Sequence, residues 1–119
     1  MSNGRVQLHV DETKQDIGKR VIEAWRRMGH GEDVNEKHVS FENWETMVRV
    51  LSPKRLELLR HIHQHPAKNV RVLAFALGRD YRRVHDDVEA LEAAGLLERG
   101  KEGVRADYDA FDVRMRVAL

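Results

Sequence analysis

The pattern of hydrophobic and polar positions in residues 5–51 predicts a strand, a helix, a second strand and a second helix. Val6, Leu8 and Val10 alternate with polar residues, which is typical of a strand with one buried face. The next segment carries an apolar stripe at helical spacing, formed by Ile17, Val21, Trp25 and Met28. We expect this helix to be capped by Asp11 or Thr13 and to stop at Gly29.

A polar, glycine-containing stretch over residues 30–37 predicts a flexible loop before the second strand. Val39 and Phe41 alternate with polar neighbours and indicate that strand. Asn43 is a suitable cap for a short helix, whose apolar positions are Trp44, Met47, Val48 and Leu51.

Three further helices are predicted between residues 52 and 95. Ser52 and Pro53 favour a helix start, and Leu56, Leu59 and Ile62 then share one face, with Leu58 beside it. A short helix begins after Asn69 and is closed by Gly78; its apolar positions are Val70, Leu73, Ala74 and Leu77. Asp80 caps the third helix, which ends at Gly95. The inward-facing side chains of this helix are those of Val84, Val88 and Leu91.

The segment after Gly95 predicts a β-hairpin. Leu96 to Arg99 forms the first strand, the glycine-bounded stretch 100–103 forms the turn, and the second strand begins at Val104. The tail alternates again and predicts one more strand, with its apolar positions at Phe111, Val113, Met115 and Val117.

Composition makes this an ordinary globular chain with an unusually charged surface. Its 119 residues favour a single domain with a small appended segment, and they are 41% hydrophobic and 34% charged. No stretch has the length of a membrane span, and the N-terminus lacks the apolar core of a signal peptide. The absence of cysteine excludes disulfides and thiolate sites. We expect a cytoplasmic protein without a cofactor.

The net charge of +1 conceals a segregated distribution. Residues 54–83 contain eight Lys or Arg and two Asp or Glu, a net charge of +6, whereas residues 84–98 have a net charge of −5. Such segregation produces a local electric field that the net charge of the whole chain does not reveal.

The short helix, the turn at Gly78 and the following amphipathic helix form a helix-turn-helix pattern, which the hairpin extends to a winged helix. At these positions the sequence resembles the MarR/ArsR-like winged-helix DNA-binding proteins. The resemblance lies in Val72-Leu73-Ala74, Leu77-Gly78, residues 81–88 and the segment 91–97. Residues 41–111 also look like a small prokaryotic family of predicted regulators classed as antitoxins, often encoded beside a ribonuclease-type toxin.

This resemblance implies an α+β fold: a winged helix-turn-helix DNA-binding domain over residues 52–119, with an N-terminal strand–helix–strand–helix segment over residues 1–51. In such proteins the second helix of the motif enters the major groove with its N-terminal end first. With Val84 and Val88 inward, Arg82 lies about 160° from the buried face at 100° per residue. The predicted DNA-binding residues are Lys68, Arg71, Arg79, Tyr81, Arg82, Arg83, His85, Arg99, Lys101 and Arg105.

The order of charges along this helix supports a DNA-binding interpretation. Arg82 and Arg83 lie in its first turn, while Glu89 and Glu92 lie towards its end, the reverse of what the helix dipole favours. A helix that presents its basic end to phosphates requires this order. Asp86 and Asp87 stand at i,i+4 from the two arginines, a spacing that pairs or neutralises them.

Two other function classes have weaker signals. His61, His63 and His65 alternate, and His61 and His65 have the i,i+4 spacing of helical metal ligands, which suggests a metal- or pH-responsive regulator as an alternative. No carboxylate or thiol accompanies them locally, so we predict no metal site. No nucleophile or phosphate-binding glycine motif is present, and we predict no enzymatic activity.

Residues 1–51 have a net charge of −1, which argues against strong DNA binding by this segment. Their strands, the two tryptophan stripes and the C-terminal tail form either a dimer interface or the core of the monomer. Because helix-turn-helix proteins usually bind paired half-sites as symmetric dimers, we expect a homodimer that represses transcription, including that of its own operon. The alternative is a protein-interaction module that neutralises a partner toxin without binding DNA.

Overall fold

A computed structural model describes residues 4–31 and 37–117. Within these residues the protein is mixed α/β, an architecture compatible with the predicted α+β class. Residues 32–36 of the predicted loop lie outside the described residues. The elements in chain order are β1 (Arg5–Val10), α1 (Lys14–Gly29), β2 (Lys37–Phe41), α2 (Trp44–Val50), α3 (Pro53–Gln64), α4 (Val70–Leu77), α5 (Tyr81–Ala93), β3 (Glu98–Gly100), β4 (Gly103–Arg105) and β5 (Ala110–Met115).

The chain divides into two compact units. The helical unit comprises residues 48–109, and the sheet unit comprises residues 4–47 together with the segment from residue 110 onward. The predicted division at residues 51 and 52 differs from this arrangement in two respects. The boundary between the units lies between residues 47 and 48. The C-terminal strand, which the sequence analysis assigned to the winged-helix domain, pairs with β1 instead.

The sheet unit is built on a three-stranded parallel sheet in the order β2-β1-β5. Leu8 of the central strand lies opposite Val39 on one side and Val113 on the other. Val6, Leu8 and Val10 are almost completely buried, as their alternation predicts. The two predicted strands of the N-terminal segment and the predicted strand of the tail are therefore confirmed, and the structure joins them in one sheet.

Helix α1 begins where Thr13 caps it. The Thr13 side chain accepts a hydrogen bond from the backbone N–H of Asp16, and the Asp16 carboxylate accepts one from the backbone of Thr13. No residue of α1 is buried, and its apolar stripe stays exposed, Val21 by 42% and Trp25 by 70%. The predicted helix is confirmed, but within the described residues its stripe does not enter a core.

Helices α3 and α4 begin and end at the predicted residues, whereas α5 begins after Asp80 as predicted but ends at Ala93, two residues before Gly95. Ser52 caps α3, and Asn69 caps α4 by accepting a hydrogen bond from the Val72 N–H at 2.8 Å. Gly78 ends α4 in the left-handed conformation at φ 64°, where glycine is favoured. On α3 the structure buries Leu58, Leu59 and Ile62 and leaves Leu56 half-buried, so the buried face is rotated from the predicted one.

The β3–β4 hairpin is attached to the chain segment that precedes α4. Ala67 exchanges two backbone hydrogen bonds with Val104 of β4, at 3.0 and 2.8 Å. Gly103 lies beside this contact at φ 118°, and a Cβ atom there would collide with the carbonyl oxygen of Ala67. Only glycine satisfies both the backbone conformation and the close approach. The hairpin is thus held against the entrance to α4.

Candidate nucleic-acid interface

Helices α4 and α5 are joined by a tight connection of three residues. It consists of Gly78, Arg79 and Asp80, and the Asp80 side chain caps α5 by accepting a hydrogen bond from the Arg83 N–H at 3.2 Å. α5 packs against α4 and buries Val84, Val88 and Leu91 completely. This is the inward face that the sequence predicts, and it fixes the side of α5 that faces solvent.

Arg82 and Arg83 are exposed in the first turn of α5. Neither side chain has an ion pair or hydrogen bond within residues 4–31 and 37–117, so the predicted pairs with Asp86 and Asp87 do not form there. The first turn contains no acidic residue. Each cation at this end opposes the helix dipole, typically by about 0.3–1 kcal/mol.

A groove lies between the start of α4, the first two turns of α5 and the hairpin. No acidic residue lines it within the described part of the chain. Five of the ten predicted DNA-binding residues contribute to its lining, namely Lys68, Arg71, Tyr81, His85 and Arg99. The structure therefore gathers half of the predicted set around one positively charged concavity.

One wall of the groove is a row of three neighbouring side chains. The Arg71 guanidinium lies 5.3 Å from the centre of the Tyr81 ring, within the range of a cation–π interaction. The His85 ring is 5.8 Å from that of Tyr81. Because these side chains support one another, Arg71 and Tyr81 present a defined surface to a ligand while remaining exposed.

Arg79 does not reach out towards a ligand, contrary to the sequence analysis. Its Nη2 donates a hydrogen bond to Asp87 at 2.8 Å, and the Nε of Arg55 donates to the same carboxylate at 3.0 Å. The three side chains are only 14–21% exposed. Arg79 therefore connects the turn to α3 and α5, and its role is in the architecture of the helical unit.

The hairpin arginines are also engaged in ion pairs. Arg105 contacts Glu98, Glu102 and Asp107 at 3.3, 3.4 and 3.0 Å. Its hydrogen bond to Glu98, followed by the charges of Asp107 and Glu98, raises the pKa of the Arg105 guanidinium. Arg99 binds Glu92 at 3.1 Å but also lines the groove. Lys101 is exposed at the hairpin tip, so it is better placed than Arg105 to contact an anion.

Asn69 is a residue of the groove that the sequence did not predict. Asn69 lines it and at the same time caps α4. The sequence predicted that Asn69 caps a helix, but a residue's role as a cap does not indicate which groove or surface its side chain lines. Gly103 was likewise recognised only as a turn glycine, because its contact is with Ala67, far away in sequence.

The histidine run does not form a joint ligand set. The rings of His61 and His65 are 5.3 Å apart, whereas His63 contacts the carbonyl oxygen of Ala106 at 2.9 Å and Asp109 at 3.1 Å. Elsewhere on the described surface, His85, Asp86 and Glu89 have potential ligand atoms within 4.8 Å of one another. His85 and Glu89 are an i,i+4 pair at 3.6 Å on a solvent-facing helix, an arrangement that a surface ion pair explains.

The sheet unit contains a polar cluster that sequence reasoning missed. His9 is 3% exposed; its Nε2 is 2.8 Å from the Nδ1 of His38, and its Nδ1 is 3.2 Å from Glu12. Glu12 also accepts hydrogen bonds from Arg20 and Ser40. Burial, and then the charge of Arg20, lower the pKa of His9. The two histidines are far apart in the sequence, so no local motif announces the pair.

The described residues thus form a mixed α/β protein with a basic groove in its helical unit. The chain belongs to the HVO_A0114 family, whose model matches residues 50–113, just over half of the chain. No curated protein and no solved structure matches it. The matched segment includes all the residues of the groove.

None of the described helices is both long enough and apolar enough to cross a bilayer.

Proposed function

We propose that the helical unit is a winged helix-turn-helix module that binds double-stranded DNA, and that the protein represses transcription, including that of its own operon. α4 and α5 correspond to the helix-turn-helix, and the hairpin corresponds to the wing. The observation that carries the proposal is the position of Arg82 and Arg83, exposed and without ion partners among the described residues, beside a groove without acidic lining.

In this proposal the N-terminal end of α5 enters the major groove. Arg82 and Arg83 reach base edges or phosphates, and arginine is the side chain best suited to bidentate contact with guanine. The buried face formed by Val84 and Val88 fixes the rotation of the helix, so the arginines cannot turn away from the DNA without unpacking the core. Asp80 caps the helix and partly offsets the cost of the two cations.

The groove and the hairpin bind the flanking phosphates. Lys68 and Arg71 lie at the entrance to α4, and Arg99 and Lys101 lie on the hairpin. Phosphate contacts of this kind position a protein on the duplex and add affinity without sequence preference. Sequence preference is therefore expected from α5, and salt-dependent affinity from the groove and the hairpin together.

The proposal is tested by fluorescence anisotropy with a labelled duplex from the protein's own upstream region and a scrambled duplex of equal length. Preferential binding to the first duplex is expected, with a log–log salt slope of roughly 0.9 per phosphate contacted. Equal and weak binding to both duplexes would contradict a sequence-specific repressor.

Charge reversal identifies the surface that binds. Arg82→Glu is expected to abolish preferential binding, whereas Arg60→Glu, which makes the same charge change at an exposed position of α3, is expected to retain it. A glutamate in the first turn of a helix is favourable to the helix dipole, so lost binding in Arg82→Glu is not explained by lost folding. Equal effects of the two substitutions would contradict the assignment of α5.

A second candidate function is the neutralisation of a partner toxin without DNA binding. The observation that favours it is the exposed apolar pair on α4, where Val72 is 47% and Phe75 is 89% exposed. An exposed aromatic side chain of this size is a typical anchor of a protein interface. Co-purification with the product of the neighbouring gene, compared between the unsubstituted protein and Phe75→Ser, tests this candidate. Loss of the partner in Phe75→Ser with DNA binding retained would separate the two functions.

A further inference from the structure

Strand β5 is an edge of the parallel sheet. It pairs with β1 on one side, and no strand within residues 4–31 and 37–117 pairs with its other side. An edge of six residues is a ready template for another strand, because alternate backbone groups along it point away from β1. Its side chains are mostly exposed, including Val113 by 50% and Met115 by 43%.

The backbone of β5 indicates which residues face outward. The N–H of Arg116 donates to the carbonyl oxygen of Val10 on β1, at 3.4 Å. Backbone groups of successive strand residues point to opposite sides, so those of Arg114 and Asp112 also face β1. The N–H and C=O of Val113 therefore point away from the sheet, in the orientation needed to pair with a further strand.

The charges of β5 are complementary to those of β5 itself. When two copies are placed antiparallel with Val113 opposite Val113, Asp112 of each copy lies opposite Arg114 of the other. The two Val113 residues then form a hydrogen-bonded pair, and Asp112 and Arg114 form the non-hydrogen-bonded pairs, in which opposite side chains approach most closely. Opposite charges directly across such a pair stabilise it.

Neighbouring registers lack this complementarity. A two-fold axis at Asp112 would place the two carboxylates opposite each other, and one at Arg114 would do the same with two guanidiniums. An axis at Met115 would place Arg114 opposite Arg116. Among the registers centred on residues 112–115, only the one centred on Val113 brings opposite charges together without also placing like charges opposite each other.

The same register covers apolar surface. Val113 and Met115 share the sheet face of Leu8 and Val10, which are fully buried. Pairing across Val113 extends this apolar face from one copy to the other and removes the exposed Val113 side chains from water. Because the pairing is two-fold symmetric, each β5 strand is paired with the other and neither remains open to a third copy of the protein.

We propose that the protein forms a two-fold symmetric homodimer in which β5 pairs antiparallel with β5 of a second copy, with Val113 opposite Val113 and Asp112 opposite Arg114. The three-stranded sheet of each copy becomes half of a six-stranded sheet. The proposal goes beyond DNA binding, and its test reads the oligomeric state in the absence of DNA, so that either proposal can fail without the other.

Sedimentation equilibrium of the full chain tests the dimer, and charge reversal tests its register. The unsubstituted protein is expected to be dimeric. Asp112→Arg and Arg114→Asp are each expected to weaken dimerisation about tenfold, because two symmetric pairs become repulsive. The double variant Asp112→Arg/Arg114→Asp has the original composition and complementary charges, and it is expected to recover the dimer.

A mixture of the two single variants provides an independent readout. The Asp112→Arg chain carries arginine at both positions of the register, and the Arg114→Asp chain carries aspartate at both. Opposite charges then meet only between unlike chains, so the mixture is expected to form heterodimers in native mass spectrometry.

Two results would overturn the proposal: a monomeric unsubstituted protein, or dimers that are equally stable in both single variants. Circular dichroism confirms that each variant is folded. Recovery of the dimer in the double variant excludes misfolding as the cause of monomers in the single variants.

Discussion

The guanidinium of Arg79 binds the carboxylate of Asp87 at 2.8 Å, so the turn before α5 is attached to the middle of that helix. Arg55 binds the same carboxylate from α3, and all three side chains are largely shielded from solvent. One acidic residue thus holds two cations that would otherwise be poorly solvated. This arrangement divides the arginines near α5 into those that support the fold and those available to a ligand.

Asp87→Asn is expected to lower the free energy of unfolding by about 2 kcal/mol, because it leaves two partly buried guanidiniums without a counter-ion. Arg82→Ala, at an exposed position of the same helix, is expected to change it by no more than about 0.5 kcal/mol. Urea denaturation followed by circular dichroism measures both values. Similar stabilities of the two variants would contradict the structural role of Asp87.

The hairpin attachment predicts a second contrast, between two glycines of the same turn. Gly103→Ala is expected to cost about 2 kcal/mol or more, because φ 118° and the Ala67 backbone exclude a Cβ atom. Gly100→Ala has no heavy atom within 4 Å of the added carbon and serves as the matched control. The comparison uses the midpoint of urea denaturation, and equal midpoints would contradict the close approach.

Acidification is expected to destabilise the sheet unit through His9. The pKa of His9 is lowered below its ordinary value of 6.5 by burial and by Arg20. The unfolded chain therefore binds more protons than the folded one as the pH falls through this region. The contribution of His9 to the free energy of unfolding is fully present above the ordinary pKa of histidine and is lost as the pH falls below it.

This dependence is measured as the free energy of urea unfolding at a series of pH values. His9→Gln removes the titrating group and is expected to give a shallower slope near the ordinary pKa of histidine. The same slope in the variant and the unsubstituted protein would show that His9 does not carry the effect.

Salt dependence is expected to distinguish arginines that contact phosphate from those occupied by carboxylates. If DNA binds as proposed, Arg83→Ala reduces the log–log salt slope by about 1 when Arg83 contacts one phosphate. Arg105→Ala is expected to leave the slope nearly unchanged, because three carboxylates already surround Arg105. Anisotropy titrations at several salt concentrations measure both slopes. A larger effect of Arg105→Ala would contradict the conclusion that carboxylates keep Arg105 from contacting phosphate.

Local sequence signals were sufficient to locate the helices of the helical unit. The spacing of Val84, Val88 and Leu91 predicted the buried face of α5, and Asn69 and Gly78 marked the ends of α4. These features depend on residues within one or two helical turns, and the propensities of caps and apolar stripes act over that distance.

Contacts between residues that are distant in the sequence could not be predicted in the same way. Asp87 was expected to pair with Arg83 four residues away, but it binds Arg55 and Arg79, whose positions depend on how the helices pack. The alternation in residues 110–115 indicated a strand without indicating that its partner is β1. Likewise, the stripe on α1 predicted a helix correctly, but an apolar stripe carries no information about what covers it.

The pairing of Arg5 with Ala110 has a consequence for the time course of folding. The helical unit is inserted between the two segments that make up the parallel sheet, so its residues are synthesised after β1 and before β5. A nascent chain therefore carries β1 with one side open until residues 110–115 have left the ribosome. Contacts over so long a stretch of chain form slowly unless something brings the ends together. Prior folding of the inserted helices shortens that search, so we expect the sheet to assemble last.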